Sequence, residues 1–419
     1  MICPSLGIGE IFTAIKLGER LSQDGNEIHF TGTTIIEEFS FIKKSNHTIL
    51  TMDAKENSIL LDQLVNEVKP DILIFTDYHM YMKNVYMRNV FDLDSLQKFH
   101  LPFYIIDTLG NCTFHDEKVS LYEKEVSITV PHYIDGILRP VPQHDAKLDY
   151  VSKRTKYFSV FDSKTTFEVE EEGIIKIKQS LGLDINRDTV VLTLGNWVKA
   201  VVSEAKYKLY LNLIRIVLHY LNSVGTDLEV VILGECNFEY NEFKHLKINK
   251  DLIDLSFEEA DKLIQISSLL ITLNRFSNSL CRAAYYHTPC MALVNSNKIE
   301  FTNKDITKDI PYLLSVYVKK ILRLISLENK TIQEYTVFPE NNTSIFQSFF
   351  DQNTMYSEIV PSYEILDEET IVKTMKEIIL MKNNELKIKQ KQFMKQAFLL
   401  PSPTILLKEL NNGACSTYK

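Results

Sequence analysis

The sequence predicts an α/β protein built on two doubly wound parallel sheets, and three observations predict it. Apolar runs without polar alternation, such as 71–75, 103–106, 188–194 and 228–233, have the character of strands covered by helices on both faces. Segments with helical apolar spacing separate them, as at Ala14, Leu17 and Leu21, or Tyr207, Tyr210, Leu211, Ile214, Leu218 and Leu221. The runs also fall into two series, one from the N-terminus and one from about residue 184, in a chain of 419 residues that is long enough for two or three domains.

The first series opens with the short apolar segment Ile2-Cys3, a turn at Gly7-Ile8-Gly9-Glu10, a helix stopped at Gly25, and a strand at 27–31. Residues 2–31 thus read as a β-α-β unit with its glycine turn at the strand's C-terminal end, a parallel-sheet signature. Only two or three residues precede the turn where five or six are usual, so either the first strand is clipped or chain is missing upstream of Met1. The strands at 71–75 and 103–106 end in polar clusters, Thr76-Asp77-Tyr78-His79 and Asp107-Thr108-Leu109-Gly110-Asn111. Ligands of open α/β sheets sit beyond the carboxyl ends of strands, so these clusters are where chemistry is expected.

The second series follows an acidic helix at about 169–181 that Gly182 stops. Strand 188–194 ends at Gly195-Asn196-Trp197, and strand 228–233 at Gly234-Glu235. Ser256-Phe257-Glu258-Glu259 is a capping box that opens a helix. Strand 269–273 leads through Asn274-Arg275-Phe276-Ser277-Asn278-Ser279 into another helix, and Thr288-Pro289 breaks to a strand at 290–294. The tail reads as one long, solvated polar helix from about Glu368 to Lys395, with a shorter helix after Pro401 to Pro403.

Composition narrows the class. The 46 Lys and Arg against 55 Asp and Glu leave a net charge of −9, the wrong sign for gripping a polyphosphate backbone, so no nucleic-acid partner is expected. Six scattered cysteines without a Cys-x-x-Cys suit neither a zinc site nor a disulfide scaffold. With no basic leader and no apolar run near the roughly 18 residues of a membrane span, a cytoplasmic protein without a transmembrane segment is expected.

Two stretches resemble the GT-B glycosyltransferases, in which two Rossmann-like domains face each other across a cleft. Gly7-Ile8-Gly9-Glu10, the following helix and Asp24-Gly25-Asn26-Glu27-Ile28-His29-Phe30 look like that family's opening, a Gly-x-Gly-His turn followed by a helix and a Gly-His-Glu-Val strand. Ile253 to Ile264, Leu269-Leu270-Ile271-Thr272, Asn274 to Ser279 and Ala283 to Pro289 are similar to the donor-binding region of the macrolide-type and peptidoglycan-precursor transferases. The likeness spans about residues 1–35 and 185–300. The chain departs from the family in carrying Glu10 where His is usual, and Ser277-Asn278-Ser279 with Arg282 where paired glycines and a later Glu or Gln are common.

The two strand series and the terminal helix after the Pro break predict one domain at 1–183, a second at 184–395, and a C-terminal helix at 396–419 packing back on the first; the resemblance makes the first the acceptor side and the second the nucleotide-sugar side. It implies an inverting, metal-independent transfer from a UDP- or dTDP-linked nucleotide sugar to a small-metabolite acceptor, with no other cofactor. No Asp-x-Asp in a strand-end loop suggests a metal-bridged diphosphate. The catalytic candidates are Glu10, Asp77, His79 and Asp107, because transfer needs a base near the acceptor hydroxyl. Glu10 could instead favour only the N-terminus of its helix, and Asp77 and Asp107 could cap turns. The donor candidates are Gly7, Gly9, Gly195, Asn196, Arg275, Ser277, Asn278, Ser279 and Arg282, whose glycines, hydroxyls, helix N-terminus and cations suit a diphosphate. Plain N-capping by Ser277 or Asn278 and a surface salt bridge for Arg282 are the structural alternatives. An epimerase or hydrolase on the same fold, or a catalytically inert binding partner, are the competing functions.

Overall fold

The computed structural model describes residues 1–3, 8–76, 78–83, 90, 92–115, 128–147, 154–162, 169–194, 204–234, 242–249, 255–296, 299–301, 310–328, 331–332 and 349–415. The chain divides into two compact units: Met1–Thr165 with Ser344–Tyr356 and Met394–Lys419, and Thr166–Thr343 with Ser357–Phe393.

The first unit contains β1 (Ile2–Cys3), α1 (Ile8–Gln23), β2 (His29–Gly32), α2 (Ser40–Lys44), β3 (Asn46–Ile49), α3 (Ala54–Val68), β4 (Leu73–Phe75), α4 (Tyr78–Lys83), β5 (Phe103–Ile106), β6 (Cys112–Thr113), β7 (Ile128–Thr129), β8 (Gly136–Val141) and β9 (Thr155–Ser159). Its seven-stranded sheet has the order β3-β2-β1-β4-β5-β8-β9, with every neighbouring pair parallel. β4 and β5 are buried along their whole lengths, as the absence of polar alternation requires. α1 lies close on β2 because Gly18 has no side chain: a Cβ there would stand 2.6 Å from Cζ of the buried Phe30. Asp53 opens α3 by accepting from the backbone N–H groups of Lys55 and Glu56 at 2.7 and 3.1 Å.

The second unit contains α5 (Glu171–Ser180), β10 (Asp188–Thr193), α6 (Glu204–Asn222), β11 (Leu228–Leu233), β12 (Leu246–Asn249), α7 (Phe257–Ile266), β13 (Leu269–Thr272), α8 (Asn278–Tyr286), β14 (Cys290–Val294), β15 (Ile299–Glu300), α9 (Val316–Glu328) and β16 (Thr331–Ile332). After α10 (Thr354–Ile359), whose first residues belong to the first unit, come β17 (Ser362–Glu364), α11 (Glu368–Ile379), α12 (Glu385–Ala397) and α13 (Pro403–Cys415). The second sheet is also parallel, in the order β12-β11-β10-β13-β14-β17. The capping box forms as read: Ser256 Oγ accepts from Glu259 N at 3.2 Å, and Glu259 Oε2 accepts from Ser256 N at 2.8 Å. α13 is part of the first unit, where its Thr404 Oγ1 accepts from Asn26 Nδ2 at 3.0 Å and Glu409 pairs with Lys156 at 3.3 Å. Among the described residues no helix is long and apolar enough to cross a membrane.

The expected long polar tail helix is two helices, α11 and α12. The chain turns between them with Lys382 in the left-handed region at φ 51°, and Asn383 Oδ1 accepts from Glu385 N at 2.9 Å to restart the helix. Nor is α12 merely solvated, because Gln390 is wholly buried and its Nε2 donates to the carbonyls of Thr288 at 3.0 Å and Ile359 at 3.3 Å.

Candidate active site

Both sheets change direction at one place. In the first, the strand order runs outward one way from β1 and the other way from β4; in the second, the same reversal lies between β10 and β13. Such switch points open a crevice beyond the strands' carboxyl ends. The chain leaving β1 passes Gly9 and Glu10, and the chain leaving β13 passes Arg275 to Ser279, so each series of candidates contains residues at a switch point of its own unit.

In the first unit, Gly9 and Glu10 form the opening turn of α1 instead of preceding it. The Glu10 carboxyl is half-buried, and burial raises its pKa above the ordinary carboxylate value, opposed by a backbone hydrogen bond. A carboxyl so shifted is a better proton acceptor than a solvated one once it ionises.

Asp107, which directly follows β5, is engaged quite differently. Its side chain is fully buried, and its two oxygens accept from Gly110 N at 2.9 Å, Asn111 N at 3.3 Å, Cys112 N at 3.1 Å and Arg139 Nε at 3.2 Å. The Arg139 guanidinium, itself buried on β8, also donates to Tyr157 Oη at 3.1 Å and to the carbonyls of Gly110 and Cys112 at 3.2 and 3.1 Å. With these four donors converging on it, the Asp107 carboxylate builds the turn after β5. The catalytic expectation for Asp107 therefore gives way to a structural role, because a buried carboxylate needs a counter-ion and Arg139 supplies it.

His144 completes this cluster. Its Nε2 lies 3.1 Å from the Asp107 carbonyl oxygen, and its ring packs edge-on to Phe349, centroids 5.1 Å apart. Burial first, then the Arg139 charge, lowers its pKa to about 3, so the imidazole is neutral at ordinary pH. Gly110, at φ +68°, makes room for it: a Cβ there would stand 2.8 Å from His144 Cε1. The Cys112 thiol is pushed well above its ordinary value by burial and then by Asp107, which makes it inert. Sequence reading missed Arg139 and His144. The available signal was a single Arg inside the otherwise buried run Gly136-Ile137-Leu138-Arg139-Pro140-Val141, a charge that had to find a carboxylate.

In the second unit, the turn after β13 is ordered by its own side chains. Asn274 Oδ1 accepts from Phe276 N at 2.8 Å, and Ser277 Oγ caps α8 by accepting from Ser279 N at 3.3 Å. Ser277 Oγ also donates to Ser279 Oγ at 3.0 Å. Arg275, Ser277, Asn278 and Ser279 are half-buried, while Leu280 anchors the helix in the core. The turn therefore offers two hydroxyls and the positive end of a nine-residue helix.

Arg282, one turn further on, does not join them. It is buried against α7, where its Nε lies 2.5 Å from Asp261 Oδ1, its Nη2 donates to the Phe257 carbonyl at 3.2 Å, and its guanidinium stacks 4.2 Å from the Phe257 ring centroid. The donor-binding expectation for Arg282 is thus corrected to a helix-to-helix tie. Gly7, Asp77, Gly195 and Asn196, with the neighbouring Trp197, lie outside the described residues, as does the side chain of His79, whose backbone belongs to α4.

Comparison with solved structures gives a like fold over nearly the whole chain. The spinosyn rhamnosyltransferase SpnG matches with a TM-score of 0.50 and 10% identity, covering 98% of this chain and 99% of that one. SpnG complexed with spinosyn aglycone matches equally, with a TM-score of 0.50 and 10% identity over 98% and 99% of the two chains. MurG of Acinetobacter baumannii gives 0.46 and 9% over 98% and 97%. The likeness to SpnG, together with the two parallel sheets, shows two Rossmann-like units of the GT-B fold class. No curated protein matches the sequence significantly. Residues 17–412, which take in the second sheet, the first sheet apart from β1, and every described candidate except Gly9 and Glu10, match the family described as "Family of unknown function (DUF6365)", and the chain belongs to that family.

Proposed function

We propose that this protein is a glycosyltransferase that moves a sugar from a nucleotide diphosphate sugar to a hydroxyl of a small-metabolite acceptor. The observation that carries the reading is the Ser277-capped start of α8, placed at the switch point between β10 and β13. A diphosphate is a compact anion, and the positive end of a helix flanked by the Ser277 and Ser279 hydroxyls is a fitting receptor for it. The GT-B fold and the likeness to a rhamnosyltransferase support the same reading.

In this mechanism Glu10 takes the proton of the acceptor hydroxyl as its oxygen attacks the anomeric carbon. The bond from that carbon to the diphosphate breaks in the same displacement, which inverts the configuration. The leaving nucleoside diphosphate carries away the bonding electrons, and the start of α8 holds the added charge without a metal ion. The raised Glu10 carboxyl fits the base role, since a proton acceptor is most effective when its pKa lies nearer the working pH.

The test is calorimetric titration with UDP- and dTDP-linked sugars, followed by product analysis with and without an added hydroxylic acceptor. Binding accompanied by acceptor-dependent product supports the transferase; sugar turnover without an acceptor would make it an epimerase or hydrolase. A second reading, an inert binding protein, is favoured by one observation: the Arg282 cation is spent on Asp261. Nucleotide binding with no product from any acceptor would support it.

A further inference from the structure

The outer face of α9 combines aliphatic and cationic side chains in a way that neither folding nor the proposed transfer accounts for. Leu313, Val316 and Leu327 are 91%, 85% and 81% exposed. Single exposed leucines are ordinary on a protein surface. Here, however, Val316, Lys320, Arg323, Leu324 and Leu327 fall within one arc of about 100° at 3.6 residues per turn. Lys319 borders that arc, and Leu313 precedes the helix. The opposite face of α9, Val318, Ile321, Leu322 and Ile325, is buried in the core of the second unit. The helix therefore already has its inner partner, and its outer face is spare.

The charges on this face are as informative as the aliphatics. Lys319, Lys320 and Arg323 are exposed, and among the described residues none of them is ion-paired. The nearest carboxylate along the helix, Glu328, is at its end and pairs with Lys208 at 3.7 Å. Three unneutralised cations within five residues are a local reversal of sign in a chain whose net charge is −9.

We propose that this face of α9 docks on an anionic membrane surface, with the helix lying in the plane of the interface. Thirteen residues span about 20 Å at 1.5 Å per residue. Over that length Val316, Leu324 and Leu327 dip into the boundary between headgroups and acyl chains, while Lys319, Lys320 and Arg323 extend along their own aliphatic stems to the lipid phosphates. Charge complementarity selects the lipid surface: a zwitterionic bilayer satisfies the aliphatics but gives the cations no net attraction, whereas an anionic leaflet satisfies both. One short helix of this kind gives weak, reversible and salt-sensitive attachment.

The test is co-sedimentation of the full chain with vesicles of phosphatidylcholine, pure or containing about one third phosphatidylglycerol. The protein should pellet with the anionic vesicles at low salt, and not with the neutral ones. Lys319→Glu with Lys320→Glu and Arg323→Glu should weaken that binding about tenfold or more. Val316→Ser with Leu327→Ser should weaken it severalfold. Because all five side chains are exposed, the circular dichroism and melting temperature of both variants should stay at parental values. Failure to pellet, or binding that both variants retain, overturns the proposal. So does a chain that is dimeric by ultracentrifugation and becomes monomeric with Leu327→Ser, since a second copy would then cover the face.

Discussion

The turn after β5 and the turn after β13 begin alike, each a polar cluster at the end of a buried parallel strand, yet their side chains are used in opposite ways. After β5, Asp107 is drawn inward, and Arg139, three backbone amides and the neighbouring His144 leave it nothing to offer a ligand. After β13, the serine side chains bond, among the described residues, to each other and to the helix they start, and they remain half-buried at its positive end. What separates the two is a buried counter-ion. A carboxylate at a strand end becomes part of the scaffold when a neighbouring strand delivers a guanidinium, whereas neutral hydroxyls at a helix start have no such partner and stay available. One helical turn beyond it, Arg282 repeats the first pattern on a small scale, held by Asp261 and Phe257.

The largest effect that can break this contrast is at Asp107. Asp107→Ala leaves the Arg139 guanidinium buried without its counter-ion, so urea denaturation should show a loss of roughly 3–5 kcal/mol. A variant of parental stability would return Asp107 to the list of groups free for chemistry. Next comes Glu10, whose carboxyl has no ion pair among the described residues. Glu10→Gln should lower turnover by about 10² or more while nucleotide affinity stays within a few-fold. The acid limb of the parental pH–rate profile should lie above the ordinary carboxylate range and vanish in the variant, since burial raises this pKa. Parental turnover would reduce Glu10 to a helix-dipole partner.

A subtler sharpening uses His144, whose folded-state pKa is lowered to about 3 from an ordinary value of 6.5. Between those pH values the unfolded chain binds a proton that the folded chain refuses. Stability should therefore be complete above about pH 6.5 and fall as the pH drops toward 3, by at most about 1.4 kcal/mol per pH unit from this group. Denaturation midpoints at pH 7, 6 and 5 for the parental protein and His144→Gln check it, the variant being expected to show the shallower decline. The smallest effects belong to the second turn. Ser277→Ala should cost about 1 kcal/mol of stability through the lost cap. Ser279→Ala should weaken nucleotide binding by about 1–3 kcal/mol, and Arg282→Gln should leave that affinity unchanged. If titration showed Arg282 mattering and Ser279 not, the assignment of the two residues would be reversed.

The strands at 103–106, 228–233 and 290–294 appear at the positions read from their unbroken apolar runs, and the capping box at Ser256 and Glu259 forms as its spacing dictates. Several other strands gave no such signal. β3, Asn46-His47-Thr48-Ile49, lies at a sheet edge with a polar sequence, and β8 carries Arg139 and Pro140 in its middle. The tail helix was misread because the Asn383-Asn384 break is short and the helices on either side share one composition.

What the sequence determined by itself was therefore the α/β class, the parallel series of strands and the strand ends at which Glu10, Asp107 and Ser277 stand. Those follow from periodicity and local capping, which act over a few residues and leave their mark within them. Only the tertiary structure decided which of those residues are free. Arg139 reaches Asp107 across 32 positions and Arg282 reaches Asp261 across 21, and a charge removed from water must take whichever counter-ion the fold brings to it. Such pairings depend on strand order and helix packing, so the same residue types at the same local spacing become scaffold in one turn and candidate chemistry in the other.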